Sequence, residues 1–215
     1  MRNPLASTIF LATLILLGGC KKDEDPTPPV GGGSSTSTLT TGTVPFVQMT
    51  IDGAAVSYTE GSAYGSYTDY SESIATPPAS STAHYTYIIH PMSNPDSPVF
   101  GVSLGTFQFQ GSSPTDTQFF NFFPTGQVDY GDTETYDGLA MVTWWDGSQE
   151  WSTFWGDEQT GSSFHIVETL PLPSSGTSSI LVRASFTCKL YRDGDENGQF
   201  KQVTNGKGVF RIKKI

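Results

Sequence analysis

The chain has 215 residues, with 11 Lys and Arg against 21 Asp and Glu for a formal net charge of −10, and it is 36% hydrophobic and 13% aromatic. That length is enough for one domain with a substantial core of its own. The acid excess excludes a nucleic acid partner, because phosphates are met by clustered cations and no Lys or Arg occurs between Asp23 and Val182.

The first residues read as an address. A basic start at Arg2 leads through an apolar run from Ile9 to Leu17 into Gly18-Gly19-Cys20. The run is shorter than the roughly 20 residues of a spanning helix, and small residues before a cysteine mark a cleavage site. Leu17-Gly18-Gly19-Cys20 resembles the bacterial lipobox. The resemblance implies a signal peptide over residues 1–19, cleavage, and lipid attachment at Cys20. Several acyl chains give stable anchoring, each buried methylene adding about 0.8 kcal/mol. The following Lys21-Lys22-Asp23-Glu24-Asp25 resembles the tag behind the lipid cysteine of Bacteroidota surface lipoproteins. That resemblance implies an outer-membrane location facing the cell exterior, with the membrane as partner through the N-terminal lipid.

Residues 20–44 form the expected tether. Pro26-Thr27-Pro28-Pro29 and Gly31 to Thr38 offer almost nothing to bury, and such composition gives flexible or extended chain. The single domain is expected over residues 45–215. Its expected fold class is all-β, an antiparallel β-sandwich with a barrel-like form as the alternative, and with one short helix. Val47, Met49 and Ile51 alternate with polar residues up to the Asp52-Gly53 turn, and Ala54 to Tyr58 returns as a hairpin. Further strands are expected over 83–89, 99–109, 139–145, 150–155, 164–169, 180–191 and 209–212. The helix is expected from Pro114 to Phe123, capped by Ser113, with Pro114 in its first position and Asp116 in its first turn. Phe119 and Phe123 fall on one face and plug the end of the fold.

Trp144-Trp145-Asp146-Gly147-Ser148-Gln149-Glu150-Trp151 reads as a hairpin turning at Asp146-Gly147, which would set Trp144 opposite Gln149 and Val142 opposite Trp151. Trp144, Trp145, Trp151 and Trp155 beside Asp, Glu and Gln are the ingredients of a sugar platform. Indoles stack on the apolar face of a pyranose while carboxylates accept from its hydroxyls. The same side chains are also the ingredients of a well-packed core. A glycosidase would instead draw two carboxyl groups from Asp146, Glu150, Asp157 and Glu158, about 5 to 9.5 Å apart across a cleft.

Metal and thiol chemistry leave few candidates. Asp193-Gly194-Asp195-Glu196-Asn197-Gly198 resembles the first half of an EF-hand loop, which makes Asp193, Asp195 and Asn197 the calcium candidates. The twelfth position of that loop is Thr204, so the bidentate glutamate is missing, and the same residues are common turn formers. A looser acidic stretch comprises Asp129, Asp132, Glu134 and Asp137. His84 and His90 share a strand face but lie about 20 Å apart along it, too far to ligate one metal, and His165 stands alone. With Cys20 consumed by lipid, Cys188 has no partner. Alternation puts it with Ala184, Phe186 and Leu190 in the core as an inert thiol. No motif calls for a resident cofactor.

The cations of the domain all fall late, at Arg183, Lys189, Arg192, Lys201, Lys207, Arg211, Lys213 and Lys214. Basic last strands beside acidic neighbours account for this, while the net negative charge keeps a surface protein soluble. An acidic face that binds calcium or a cationic partner is the sharper reading of the same pattern.

Phe46 to Gly53, the Trp-rich hairpin, Phe186 to Leu190, Gln202 to Gly206 and Phe210 to Ile212 are similar in order and spacing to small Bacteroidota lipoproteins of uncharacterised function. The resemblance implies a β-sandwich at the cell surface and supplies no catalytic residues. The expected function is a non-enzymatic binding or accessory module for a glycan or an outer-membrane protein, with a carbohydrate-active hydrolase as the alternative.

Overall fold

Short alternating apolar runs broken by glycine-rich turns become, in the computed structural model, eleven strands and one short helix among the described residues. The structure describes residues 38–131, 137–156, 158–192 and 198–215. The signal peptide, Cys20, most of the tether, Asp132, Glu134, Asp157, Asp193, Asp195 and Asn197 lie outside the described residues.

The strands are β1 (Phe46–Ile51), β2 (Ala54–Thr59), β3 (Tyr64–Ser73), β4 (Ser81–Pro91), β5 (Phe100–Phe109), β6 (Gly126–Val128), β7 (Met141–Trp145), β8 (Glu150–Ser152), β9 (Ser163–Leu172), β10 (Ser179–Tyr191) and β11 (Phe200–Lys213), with helix α1 (Asp116–Asn121) between β5 and β6. They join in the order β2-β1-β11-β10-β8-β7-β5-β4-β3, with β9 also on β10 and β6 on β9. All named strand pairs are antiparallel. The all-β antiparallel class with one short helix is borne out. Of the two architectures expected, the barrel describes it better than the sandwich, because the strands form one sheet curled into a half-barrel.

Bulges supply the curl. One extra residue of β11 around Asn205, with φ of 54°, shifts the register against β1 and β10 at once. A second bulge interrupts β4 and β5 at Gly105, and a third interrupts β9 and β10. Each bends and twists its strand locally, which a flat pleat cannot do. The Asp52-Gly53 hairpin forms as the sequence indicates, both residues having positive φ and Ile51 facing Ala54.

The concave side is filled by rings from distant strands. Phe100 stacks on Phe210 at 6.0 Å and approaches Phe186 at 6.2 Å, while Tyr87 meets Phe210 at 5.5 Å. Cys188 lies among them with Ala184, Phe186 and Leu190, buried and free. Helix α1 closes one end with Phe119 and Phe123 buried. Its cap is Thr115 rather than Ser113. Thr115 Oγ1 accepts from Gln118 N, the Gln118 side chain answers Thr115 N, and Asp116 takes the first helical position instead of Pro114.

The packed chain begins earlier than the boundary drawn at 45. Leu39 is buried against Leu181 and Val209 on the outer side of β10 and β11, Thr38 Oγ1 donates to Glu168, and Arg211 donates to the carbonyls of Thr41 and Thr43. Among the described residues, no helix is long and apolar enough to cross a membrane.

Candidate functional site

The Trp-rich hairpin forms between β7 and β8 with a register two residues different from the one expected. Trp144 faces Trp151 and Trp145 faces Glu150, so the turn centres on Gly147 and Ser148. Asp146 causes the shift. Its Oδ1 accepts from Ser148 N at 2.9 Å, Ser148 Oγ at 2.7 Å and Gln149 N at 3.0 Å, and its Oδ2 accepts from Trp151 Nε1 at 2.9 Å. An Asx-type staple of this kind moves the chain reversal one residue past the aspartate. The Ser148 hydroxyl chiefly, with Trp151 and the two backbone N–H groups, holds the Asp146 carboxyl well below the usual range against the opposing effect of desolvation.

The four tryptophans do not converge. Trp144 packs against the core and donates to Tyr58 Oη at 3.1 Å, and Trp151 is buried. Lys201 lies between them, 4.5 Å from the Trp151 ring and 5.9 Å from Trp144, with Asp52 at 3.6 Å from its Nζ. Trp145 points to the other face, over Gly101 and beside Ile88. Trp155 is half-buried against Phe154, with ring centroids 4.8 Å apart.

The carboxylates proposed for hydrolysis are likewise dispersed. Asp146 is committed to the turn. Glu158 binds Lys189 Nζ and accepts from Thr160 N at 2.7 Å, and these contacts, Lys189 first, pull its carboxyl down to about 2. Both groups are thus held ionised, the opposite of what a general acid requires. Glu150 lines a cavity.

That cavity belongs to a groove on the convex face, over β3, β4, β5, β7 and β8. One part, of about 400 Å³, is lined by Glu72, Thr82, His84, Thr106, Met141 and Phe154. The adjoining part, of about 190 Å³, shares Met141 and Phe154 and adds Thr86, Ser103, Thr143, Glu150 and Ser152. Strand alternation explains the lining. Where Ala83, Tyr85 and Tyr87 of β4 turn inward to the core, Thr82, His84 and Thr86 turn outward. Phe154 comes from the 3-10 turn Thr153–Trp155, fixed by the bond from Phe154 N to Ser152 Oγ at 3.1 Å. Thr143 Oγ1 lies 3.1 Å from Ser152 Oγ, and His84 Nε2 lies 2.9 Å from Thr86 Oγ1. Desolvation lowers the His84 pKa, favouring the neutral ring. Ser103, 3% exposed, lies in the floor with an Oγ that has no partner among the described residues.

The sequence reading passed over this groove because Ser and Thr on outward positions look the same whether they meet bulk water or a cavity. One signal was present: Tyr87-Ile88-Ile89 is apolar on both faces of β4, so something had to cover the outer one, and Trp145 does.

The other candidates are separate. His90 meets Tyr67 with the rings tilted and their centroids 5.6 Å apart, and His165 is exposed on β9. Among the described residues, no group of three or more His, Cys, Asp or Glu is placed to hold a metal ion. Asp129 borders a small polar cavity with Tyr130 and Gln159, while Asp137 accepts from Gln108. No family model, curated protein or solved structure matches the chain.

Proposed function

We propose that the protein is a lipid-anchored binding module displayed at the outer surface of the outer membrane, with a glycan or an outer-membrane protein as ligand and no catalytic role. The Leu17 to Cys20 motif and the acidic tag behind it support the anchor, and the Pro- and Gly-rich stretch after them supports a domain held away from the lipid. The observation that carries the binding reading is the groove on the convex face, hydroxyl-lined and roofed at one side by Phe154. A rigid sheet presenting a preformed groove suits recognition. Hydrolysis has less support, since Asp146 and Glu158 are each engaged as structural acceptors.

Three measurements test this reading. Cys20→Ala is expected to move the protein from the membrane fraction to the soluble one, and unchanged partitioning would defeat the anchor. Glycan arrays and affinity capture from solubilised outer membranes, both with the full chain in detergent, are expected to return a saturable ligand. Turnover of a bound glycan would replace the module with an enzyme.

A further inference from the structure

We infer that the groove is a saccharide subsite that selects by charge: it takes a neutral, hydroxyl-rich sugar chain and rejects uronic, sulfated or phosphorylated ones. The inference rests on the binding-module reading and specifies its ligand and its place.

Charge selection follows from where the groove is built. All its lining residues lie between Ser71 and Phe154, inside the stretch without Lys or Arg, so among the described residues no cation lines it. It does carry two carboxylates, Glu72 in the larger part and Glu150 in the smaller. A ligand bearing carboxylate or sulfate would meet like charge at both parts with nothing to neutralise it. His84 does not rescue such a ligand, since burial holds its ring towards the neutral form.

The remaining lining fits a neutral sugar in kind and size. Thr86 and Thr143 supply half-buried hydroxyls, each in one hydrogen bond, to His84 Nε2 and to Ser152 Oγ, and each with capacity for a second, while the two carboxylates accept from sugar hydroxyls. Phe154 and Met141 supply an apolar wall common to both parts, against which the C–H face of a pyranose can lie. The Ser103 hydroxyl beneath them has no hydrogen-bond partner among the described residues. Such groups carry a cost unless a ligand or water meets them. The two volumes, about 400 and about 190 Å³, are of the order of a small ligand site, and their linings together run across β3, β4, β5, β7 and β8.

The test is calorimetry on the full chain in detergent with neutral hexasaccharides (cello-, laminari-, malto-, manno- and xylohexaose) and with hexagalacturonate as the acidic counterpart. Saturable binding of at least one neutral hexamer and none of hexagalacturonate is expected. Phe154→Ala is expected to weaken the neutral ligand about tenfold, equivalent to ~1.4 kcal/mol. Thr86→Val, which keeps the volume and removes one hydroxyl, is expected to weaken it too and serves if Phe154→Ala does not fold. Glu72→Gln with Glu150→Gln is expected to admit hexagalacturonate, a gain that damage to the fold would not produce. Neutral binding indifferent to Phe154→Ala and Thr86→Val would overturn the groove and leave the module standing. Preference for hexagalacturonate, or no saccharide binding at millimolar concentration, would overturn the ligand class, and capture of a membrane protein would then decide the module separately.

Discussion

Asp146 shows how one side chain sets local structure and removes itself from chemistry. Four donors converge on its carboxylate, and the ionised form is the one they stabilise. Because the folded pKa lies below the unfolded one, this contribution is complete above about pH 4 and fades as pH falls through the folded value. Asp146→Ala is therefore expected to lower stability by about 1 kcal/mol at pH 7, the size of a lost helix cap. Urea midpoints should show the gap between variant and parent narrowing below pH 4, and a gap of equal size at pH 7 and pH 2.5 would show that the charge is irrelevant. Cys188 is the opposite case, a thiol whose burial pushes its pKa up and hides it from reagents. Ellman's reagent should leave it unmodified in the native protein and react once the chain is unfolded in guanidinium. Stoichiometric reaction without unfolding would contradict its placement.

At the scale of elements, β11 is where sequence and curvature meet. Its bulge at Asn205 bends the strand, and Gly206 beside it lets the Phe186 ring lie on the backbone. A Cβ at position 206 would stand 2.5 Å from that ring and from the Phe186 carbonyl, so Gly206→Ala is expected to cost about 1–3 kcal/mol, the range of overpacking. A thermal melt matching the parent would show that the contact relaxes freely. The strap ahead of β1 is the second such element, and Leu39→Ala should cost about 2–3 kcal/mol through the cavity it leaves over Leu181 and Val209. An unchanged urea midpoint would mean that the strap is only draped on the sheet. Much of this level was legible. Strand alternation located β4, β5 and β10 to within a few residues, and Asp52-Gly53 announced its turn. β3 was missed because Tyr64 to Ser73 is Tyr, Ser, Thr, Gly, Asp and Glu with no aliphatic residue, an edge strand stabilised on one side only. The early part of β11 was missed because Asn205-Gly206, a pair common in tight turns, sits inside the strand as a bulge. The strap was hidden in a stretch whose composition is that of a linker, with one leucine carrying the packing. The Trp hairpin was found, but its register depended on a side-chain staple that alternation does not encode. The groove depended on which outward Ser and Thr lie under Phe154, a matter of strand order rather than of sequence.

For the molecule as a whole, the order of strands explains the uneven charge. The last two strands are internal to the sheet, with β11 between β1 and β10, so the cations at the end of the sequence reach acids from distant parts of it. Lys201 meets Asp52, Lys189 meets Glu158, Arg183 meets Glu168 and Lys214 meets Asp116. In each pair the acid comes from the cation-free stretch. These pairs are partly exposed and individually weak, but they mark the same dependence that the core shows. Phe210 of β11 touches Tyr87 of β4 and Phe100 of β5, and β11 is the pairing partner of both β1 and β10. The opening hairpin β1-β2 joins the rest of the sheet through β11, so the first strands find their place only when the last has been made. A chain ending at Tyr191 is accordingly expected to lack a stable fold rather than to lose one edge, with collapsed amide dispersion in its NMR spectrum and no cooperative melt. A full-length chain should fold slowly, in milliseconds to seconds, as sheets dominated by long-range pairs do. A truncated chain that still melted cooperatively would mean that β2-β1 docks without β11, and the sheet would then be two independent halves joined by their last strand.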